Sequence, residues 1–143
     1  MKILIDTNVM LDFLTERELF FDDADKIMQM CKKKEIVGFI AAHSIMNAFY
    51  ILRKEFSAQD RREILRDYIK LVTVVGIDGI SIDRALQRED FSDVEDCLQD
   101  ECALACGAGY IVTRNISDYK NSKIKAIAPS EFLEMISGDR RGD

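Results

Sequence analysis

The chain has one histidine, one proline, no tryptophan and only seven glycines among 143 residues. A lone imidazole, His43, cannot supply a histidine-rich metal cage, and nothing around it supports a Ser-His-Asp triad. It reads as a structural side chain at a helix start. The glycines are scattered, with no G-x-G-x-x-G and no G-x-x-x-x-G-K-[ST], so the dinucleotide fold and the P-loop are excluded. The four cysteines, Cys31, Cys97, Cys102 and Cys106, form no C-x-x-C pair. They read as buried free thiols, as expected in a reducing compartment. No apolar run reaches the ~18 residues that a membrane span needs. No charged segment followed by a long apolar stretch opens the chain, which is not the pattern of a secretory signal. The expectation is a cytoplasmic protein with no membrane association.

Hydrophobic residues make up 48% and charged residues 32%, the balance of a folded soluble domain. The length fits one domain with a real core. The net charge is −6, from 20 Lys and Arg against 26 Asp and Glu. That balance excludes a module that holds nucleic acid through a broad basic surface. It leaves room for an enzyme that meets a phosphate backbone through a bound cation. Short basic stretches, Lys32-Lys33-Lys34, Arg53-Lys54 and Arg61-Arg62, are either backbone contacts or solvated helix faces.

Apolar runs and helical patterns alternate. Strands are expected at 2–5, 36–41, 72–77, 110–113 and, as a possible fifth, 124–127. Between them helices are expected at 9–14 with Thr7 near the cap, and from Asp22 or Asp23 to about 34. Further helices are expected at 44–55, from Ser57 through Ile69, at 81–89, and from Ser92 to about Gly107. A last one opens at Pro129. The alternation predicts an α/β protein: a parallel sheet of four or five strands, covered by helices in three layers. Residues 1–136 form the predicted domain and 137–143 a disordered tail.

The candidate chemistry lies where strands end. Ligands of open α/β sheets bind outside the carboxyl ends of the strands. Asp6 follows the run Ile3-Leu4-Ile5 at such an edge, where it suits either a metal or a helix cap. Thr113-Arg114-Asn115, with Asp118, ends another strand the same way. These are turn-forming residues, but Arg114 can also orient a phosphate and Asp118 can complete an acidic cluster. Between the two, Ser92-Asp93-Val94-Glu95-Asp96 reads as a capping box, with Glu95 spent on the Ser92 N–H. That leaves Asp93 and Asp96 on one helix face, with Asp100 following at i+4 from Asp96. Carboxylates from distant segments meeting at one sheet edge suggest a divalent-metal site. Oxygen donors suit Mg²⁺ or Mn²⁺.

These motifs together resemble the PIN domain. They are Ile5-Asp6-Thr7-Asn8, Asp93-Val94-Glu95-Asp96 with Ala103-Leu104-Ala105 and Gly107, Ile111-Val112-Thr113-Arg114-Asn115 with Asp118-Tyr119, and Ala128-Pro129-Ser130-Glu131-Phe132-Leu133. The resemblance covers nearly the whole chain, and its size is similar to the VapC-type toxins of bacterial toxin–antitoxin pairs. It implies a Mg²⁺- or Mn²⁺-dependent endoribonuclease leaving 5′-phosphate and 3′-hydroxyl ends, a homodimer, and a cognate antitoxin. Carried over by position, Asp6, Asp96 and Asp118 are the catalytic, metal-holding acids, and Asp93 is an additional metal candidate. Thr7, Asn8, Ser44, Thr113, Arg114 and Asn115 are supporting polar residues. The chain departs from the pattern at Asn47, where such nucleases usually carry Glu. Asn offers an oxygen but no charge, and Asp93 or Glu95 would have to compensate. The alternative is a PIN-fold protein with impaired or absent catalysis that acts as a binding module. For interfaces, large apolar groups exceed one core stripe around Phe20, Phe21, Ile27, Met28 and Met30, and around Ile45, Phe49, Tyr50 and Leu52. They fit a dimer face or ordinary core equally well.

Overall fold

A computed structural model describes the backbone of residues 1–141 and the side chains of 1–138. The strands are β1 (Lys2–Ile5), β2 (Val37–Ala41), β3 (Thr73–Val75), β4 (Tyr110–Val112) and β5 (Lys125–Ile127). They form one fully parallel sheet in the order β3-β2-β1-β4-β5. The helices are α1 (Thr7–Leu14), α2 (Phe21–Lys32), α3 (Ala42–Ile51), α4 (Ala58–Tyr68), α5 (Gly79–Gln87), α6 (Val94–Cys106) and α7 (Pro129–Arg141). Short 3-10 segments, Leu52–Lys54 and Ile116–Tyr119, follow α3 and β4.

The central strand β1 explains the layers. Ile3 and Ile5 point to one face and Leu4 to the other, and all three are fully buried. Alternate residues of a strand face opposite sides, so a strand apolar at every position must be covered on both. On the first face Ile3 and Ile5 pack with Val9, Met10, Ile27, Met28, Leu52, Tyr68 and Phe132 from α1, α2, α4, α7 and the 3-10 segment after α3. On the second, Leu4, Ala41 and Ile111 pack with Cys102 and Ala103 of α6 and with Tyr119. The expected three-layer α/β/α arrangement is the one observed, and of the four or five parallel strands expected five are present.

Two glycines serve close geometry. Gly107 ends α6 in the left-handed conformation (φ 71°), where a side chain would be strained. A Cβ on Gly38 would lie 2.7 Å from Cys31 Sγ, so α2 can rest on β2 only without one.

Several boundaries move. Asp22 and Asp23 do not cap α2; it begins at Phe21 with no side-chain cap, and both lie in its first turn. Helix α3 starts at Ala42 and tightens to 3-10 form after Ile51, short of Glu55. Helix α5 is capped by Asp78, which accepts from Ser81 N. The expected tail begins inside α7, which continues through Arg141; residues 142 and 143 lie outside the described residues. The cysteines are free, with Cys31, Cys97 and Cys102 buried. His43 is largely buried, both ring nitrogens lack a hydrogen-bond partner, and burial pushes its pKa down, so it stands as a neutral packing residue. Of the apolar surplus, Ile27, Met28 and Leu52 are core, while Phe20 and Tyr50 stay exposed. Among the described residues no helix is long and apolar enough to cross a membrane.

Candidate active site

The sheet order places β1 between β2 and β4, and the chain leaves these two neighbours toward opposite sides. That is the switch point, where a crevice opens at the carboxyl ends of parallel strands. Asp6 is the first residue past β1 and stands at its mouth, 7% exposed.

Its carboxylate is held from both sides. Oδ1 accepts from Thr7 N at 2.8 Å, which makes Asp6 the cap of α1, and from Gln99 Nε2 at 3.2 Å. Oδ2 accepts from Thr113 Oγ1 at 2.8 Å, Tyr119 Oη at 3.1 Å and, weakly, Asn8 Nδ2 at 3.4 Å. Capping and site geometry are therefore not alternatives for Asp6; one carboxylate does both. Burial still raises its pKa, against the pull of the Thr113, Thr7 and Tyr119 hydrogen bonds, and the charge of Asp118 adds to the rise.

Asp96, in the first turn of α6, faces Asp6 across the Tyr119 hydroxyl, which lies 3.3 Å from Asp96 Oδ1. Its pKa is pushed up to about 6 by partial burial and then by the charges of Asp93, Asp6 and Asp118. Asp118 sits exposed on the 3-10 segment after β4, close enough for its charge to be felt at both Asp6 and Asp96. The three acids expected to converge are thus brought to one crevice. Asp93 contributes its charge from the rim while capping α6 through Glu95 N at 2.8 Å.

The capping box at Ser92 is not formed. Asp93 takes the cap, α6 starts two residues later than expected, and the Glu95 carboxylate is released from the backbone. Glu95 Oε1 instead accepts from Asn47 Nδ2 of α3 at 2.8 Å. Burial, the charge of Asp93 and the charge of Asp6 raise its pKa, while the Asn47 hydrogen bond lowers it. Asn47 meets a carboxylate here rather than replacing one.

A buried polar line supports Asp6. Gln99, 1% exposed on α6, gives Nε2 to Asp6 and to Ser44 Oγ at 2.9 Å, and Thr7 Oγ1 donates to Ser44 Oγ at 2.7 Å. Gln99 Oε1 is buried without a partner. Gln99 does not emerge from the sequence reading, and Tyr119 enters it only within the Asp118-Tyr119 motif, with no role of its own. The only signals are a polar residue one turn after Asp96 on a buried face, and a hydroxyl next to Asp118.

Arg114 is engaged within the fold. Its guanidinium grips Asp12 with Nε at 2.6 Å and a second nitrogen at 3.1 Å, and lies over the Phe20 ring at 4.0 Å. Asp12 is 1% exposed, and a carboxylate taken out of water needs such a bidentate partner. The main chain of Arg114 still borders the crevice, its N–H donating to Asn8 Oδ1 at 3.3 Å. Asn115 likewise acts through its backbone, its N–H bound to Thr113 Oγ1 and its carbonyl accepting from Asp118 N, both at 3.0 Å. Asp100, on the same helix as Asp96, turns away from the crevice. Fully buried, it accepts from the N–H groups of Lys123 and Ile124 and pairs with Arg88 at 2.9 Å. Arg88 also lies over Phe91, whose ring meets Tyr119 edge-on. This wiring fixes the segment that carries Asp118 and Tyr119. Arg61 is also spent, bonded to Phe49 O at 2.7 Å.

Among the described residues no three Asp, Glu, His or Cys side chains already converge as a metal cage. The carboxylates that border the crevice are those of Asp6, Asp96, Asp118 and Glu95. All are oxygen donors, and the pKa values of Asp6, Asp96 and Glu95 are raised in part by their acidic neighbours. A hard divalent ion suits that set and would relieve its repulsion.

The fold recurs in solved structures. DNA-bound VapBC from Salmonella typhimurium matches with a TM-score of 0.69 at 14% identity, over 90% of this chain and 98% of that one. VapBC2 from Rickettsia felis, bound to a DNA fragment from its promoter, matches at 0.66 and 14% identity with the same coverage. Mycobacterium tuberculosis VapC20, a sarcin-ricin-loop-cleaving toxin, matches at 0.60 and 14% over 76% and 86%. At such identities the likeness speaks for the fold. A comparison with curated proteins finds no match. The PIN domain family model matches residues 2–117, most of the sequence. With its strand order and the position of Asp6, the chain belongs to the PIN domain family.

Proposed function

We propose that this protein is a Mg²⁺- or Mn²⁺-dependent endoribonuclease, the toxin half of a toxin–antitoxin pair. The observation that carries the reading is the pairing of Asp6 and Asp96 through one tyrosine hydroxyl, with both carboxyl groups raised in pKa at the switch point of a PIN fold. Support for the toxin role comes from the structural neighbours, several of which are VapBC and FitAB complexes.

Asp6, Asp96 and Asp118 would hold the ion, with Asp93 at the rim. When bound, it supplies a Lewis acid that activates water and offsets charge on the phosphoryl group. The rest of the work falls to the chain. Thr7, Gln99, Thr113 and Tyr119 keep Asp6 in one rotamer, so its oxygens need little reorganisation. Tyr119 keeps Asp96 facing Asp6. Asp118, on the opposite side of β1 from α3, bounds the crevice where an RNA strand would enter.

The test is incubation of the purified protein with structured and unstructured RNAs in Mn²⁺. Cleavage with 5′-phosphate ends, lost in Asp6→Asn, is expected. Identical background from wild type and variant refutes the nuclease and leaves the binding-module alternative. In the same reading the protein forms a homodimer and is inhibited by a cognate antitoxin. A strictly monomeric mass by light scattering at high concentration removes the dimer.

A further inference from the structure

Glu95 and Asn47 come from different helices and different sides of the crevice. Asn47 lies on α3, which follows β2; Glu95 lies on α6, which precedes β4. The amide Nδ2 donates to Glu95 Oε1 at 2.8 Å, over 48 residues of sequence. Asn47 makes no other side-chain hydrogen bond among the described residues, and Glu95 Oε2 accepts none. An exposed glutamate ordinarily samples several rotamers, and fixing one costs side-chain entropy. Here a neutral amide from the facing helix restrains it, without neutralising its charge as a lysine or arginine would.

The arrangement follows from the local sequence. With Asp93 capping α6, Glu95 occupies the second turn-forming position rather than reaching back to Ser92. Asp96, next in the chain, points toward Tyr119 and Asp118, and Glu95 leans toward α3. The charge of Asp6 is felt at Glu95, whereas that of Asp118 is felt at Asp6 and Asp96. Asp118, on the segment after β4, borders the crevice on that side, and Glu95, bonded to Asn47 of the helix after β2, borders it on the other, with Asp6 of β1 between them.

We infer that Glu95 is the carboxylate donor for a divalent cation on the β2 side of the crevice, and that Asn47 is its positioning residue. This rests on the metal-dependent reading above. One Glu95 oxygen stays with the Asn47 amide and the other is free for the ion. Asn47 then does not mark a lost acid, because the charge has moved to the facing helix.

The experiment measures Mn²⁺ binding directly, by electron paramagnetic resonance of free Mn²⁺ and by calorimetry, on the full chain without RNA. Glu95→Gln keeps the size and the amide contact but removes the charge, and both residues are solvent-accessible, so folding is retained. A loss of about 10–100-fold in Mn²⁺ affinity is expected for Asn47→Ala, which removes the outer partner, and a larger loss for Glu95→Gln, which removes the donor's charge. Asn47→Glu alone is expected to give no gain, since it sets two carboxylates against each other. Asn47→Glu combined with Glu95→Gln is expected to restore most of the affinity by exchanging the partners. If Asp96→Asn abolishes binding while Glu95→Gln binds as wild type, this assignment falls and the metal reading stands. If the wild-type protein binds no Mn²⁺ at millimolar concentration, both fall. Failure of the exchanged pair to recover affinity, with Glu95→Gln weakened, overturns the role given to Asn47.

Discussion

Replacing Asp96 by Asn should make the metal-free protein more stable and the metal-bound protein less so. Asp96 has its pKa raised from 3.8 to about 6, first by partial burial and then by Asp93, Asp6 and Asp118. The folded protein thus holds this proton more tightly than the unfolded chain. Stability falls as pH rises from about 4 to about 6, and the penalty is fully present above 6. A shift of about two pKa units at ~1.4 kcal/mol each amounts to roughly 3 kcal/mol. Because the side chain is partly exposed, solvent screening cuts that by about half, leaving about 1–2 kcal/mol. Asn carries no charge and retains an oxygen for the Tyr119 hydroxyl, so the variant should gain this amount at pH 7. Urea unfolding in chelator at pH 7, 5.5 and 4 reads it, with the gain shrinking toward zero at pH 4. Saturating Mn²⁺ should reverse the order, since ligand at 100 times its dissociation constant adds about 2.7 kcal/mol to a protein that binds it. A variant no more stable than wild type at pH 7 without metal, or a gain undiminished at pH 4, refutes the reasoning.

Tyr119→Phe deletes the hydroxyl shared by Asp6 and Asp96 while leaving the ring against Phe91. Loss of a hydrogen bond to a buried carboxylate should cost about 1–3 kcal/mol at pH 7. Because that bond holds the Asp6 pKa down, the onset of Mn²⁺ binding should also move to higher pH. Unchanged unfolding and an unchanged binding profile would exclude the bridge. Gln99→Leu removes both the donor to Asp6 and the buried orphan oxygen, whose desolvation costs about 1–3 kcal/mol. Stability should stay within about 1 kcal/mol of wild type while Mn²⁺ affinity falls. A collapse of stability in urea unfolding, with affinity retained, would make the amide a folding residue rather than one that orients Asp6.

Much of the architecture is legible from local pattern. Ile3-Leu4-Ile5 is apolar at every position, which only a strand covered on both faces tolerates. The recurrence of such runs between helical segments sets a parallel sheet with crossovers. The same runs end in Asp6 and in Thr113, and parallel topology carries both ends to one edge. That is why the convergence of Asp6, Asp96 and Asp118 can be read from distant segments. Local capping signals were less decisive. Ser92-x-x-Glu95 has the letters of a capping box, yet Asp93 competes for the same helix end and wins. The shift of the cap by one residue turns Glu95 from a backbone ligand into a carboxylate facing Asn47.

Hydrogen-bond partners across the fold are what sequence spacing cannot supply. Arg114 beside Thr113 looks like a phosphate ligand, but Asp12, 102 residues away, is buried and claims it. Tyr119 and Gln99 are buried, and their polar ends meet Asp6 only once β4 and α6 dock on β1. The sequence by itself determined the layers, the sheet edge and Asp6 at it, because those follow from periodicities of two and 3.6 residues and from strand ends; Asp96 and Asp118 were picked out by the resemblance to the PIN domain. The tertiary structure alone decided which carboxylates are free and which are spent, because that depends on desolvation and on donors brought in from other elements.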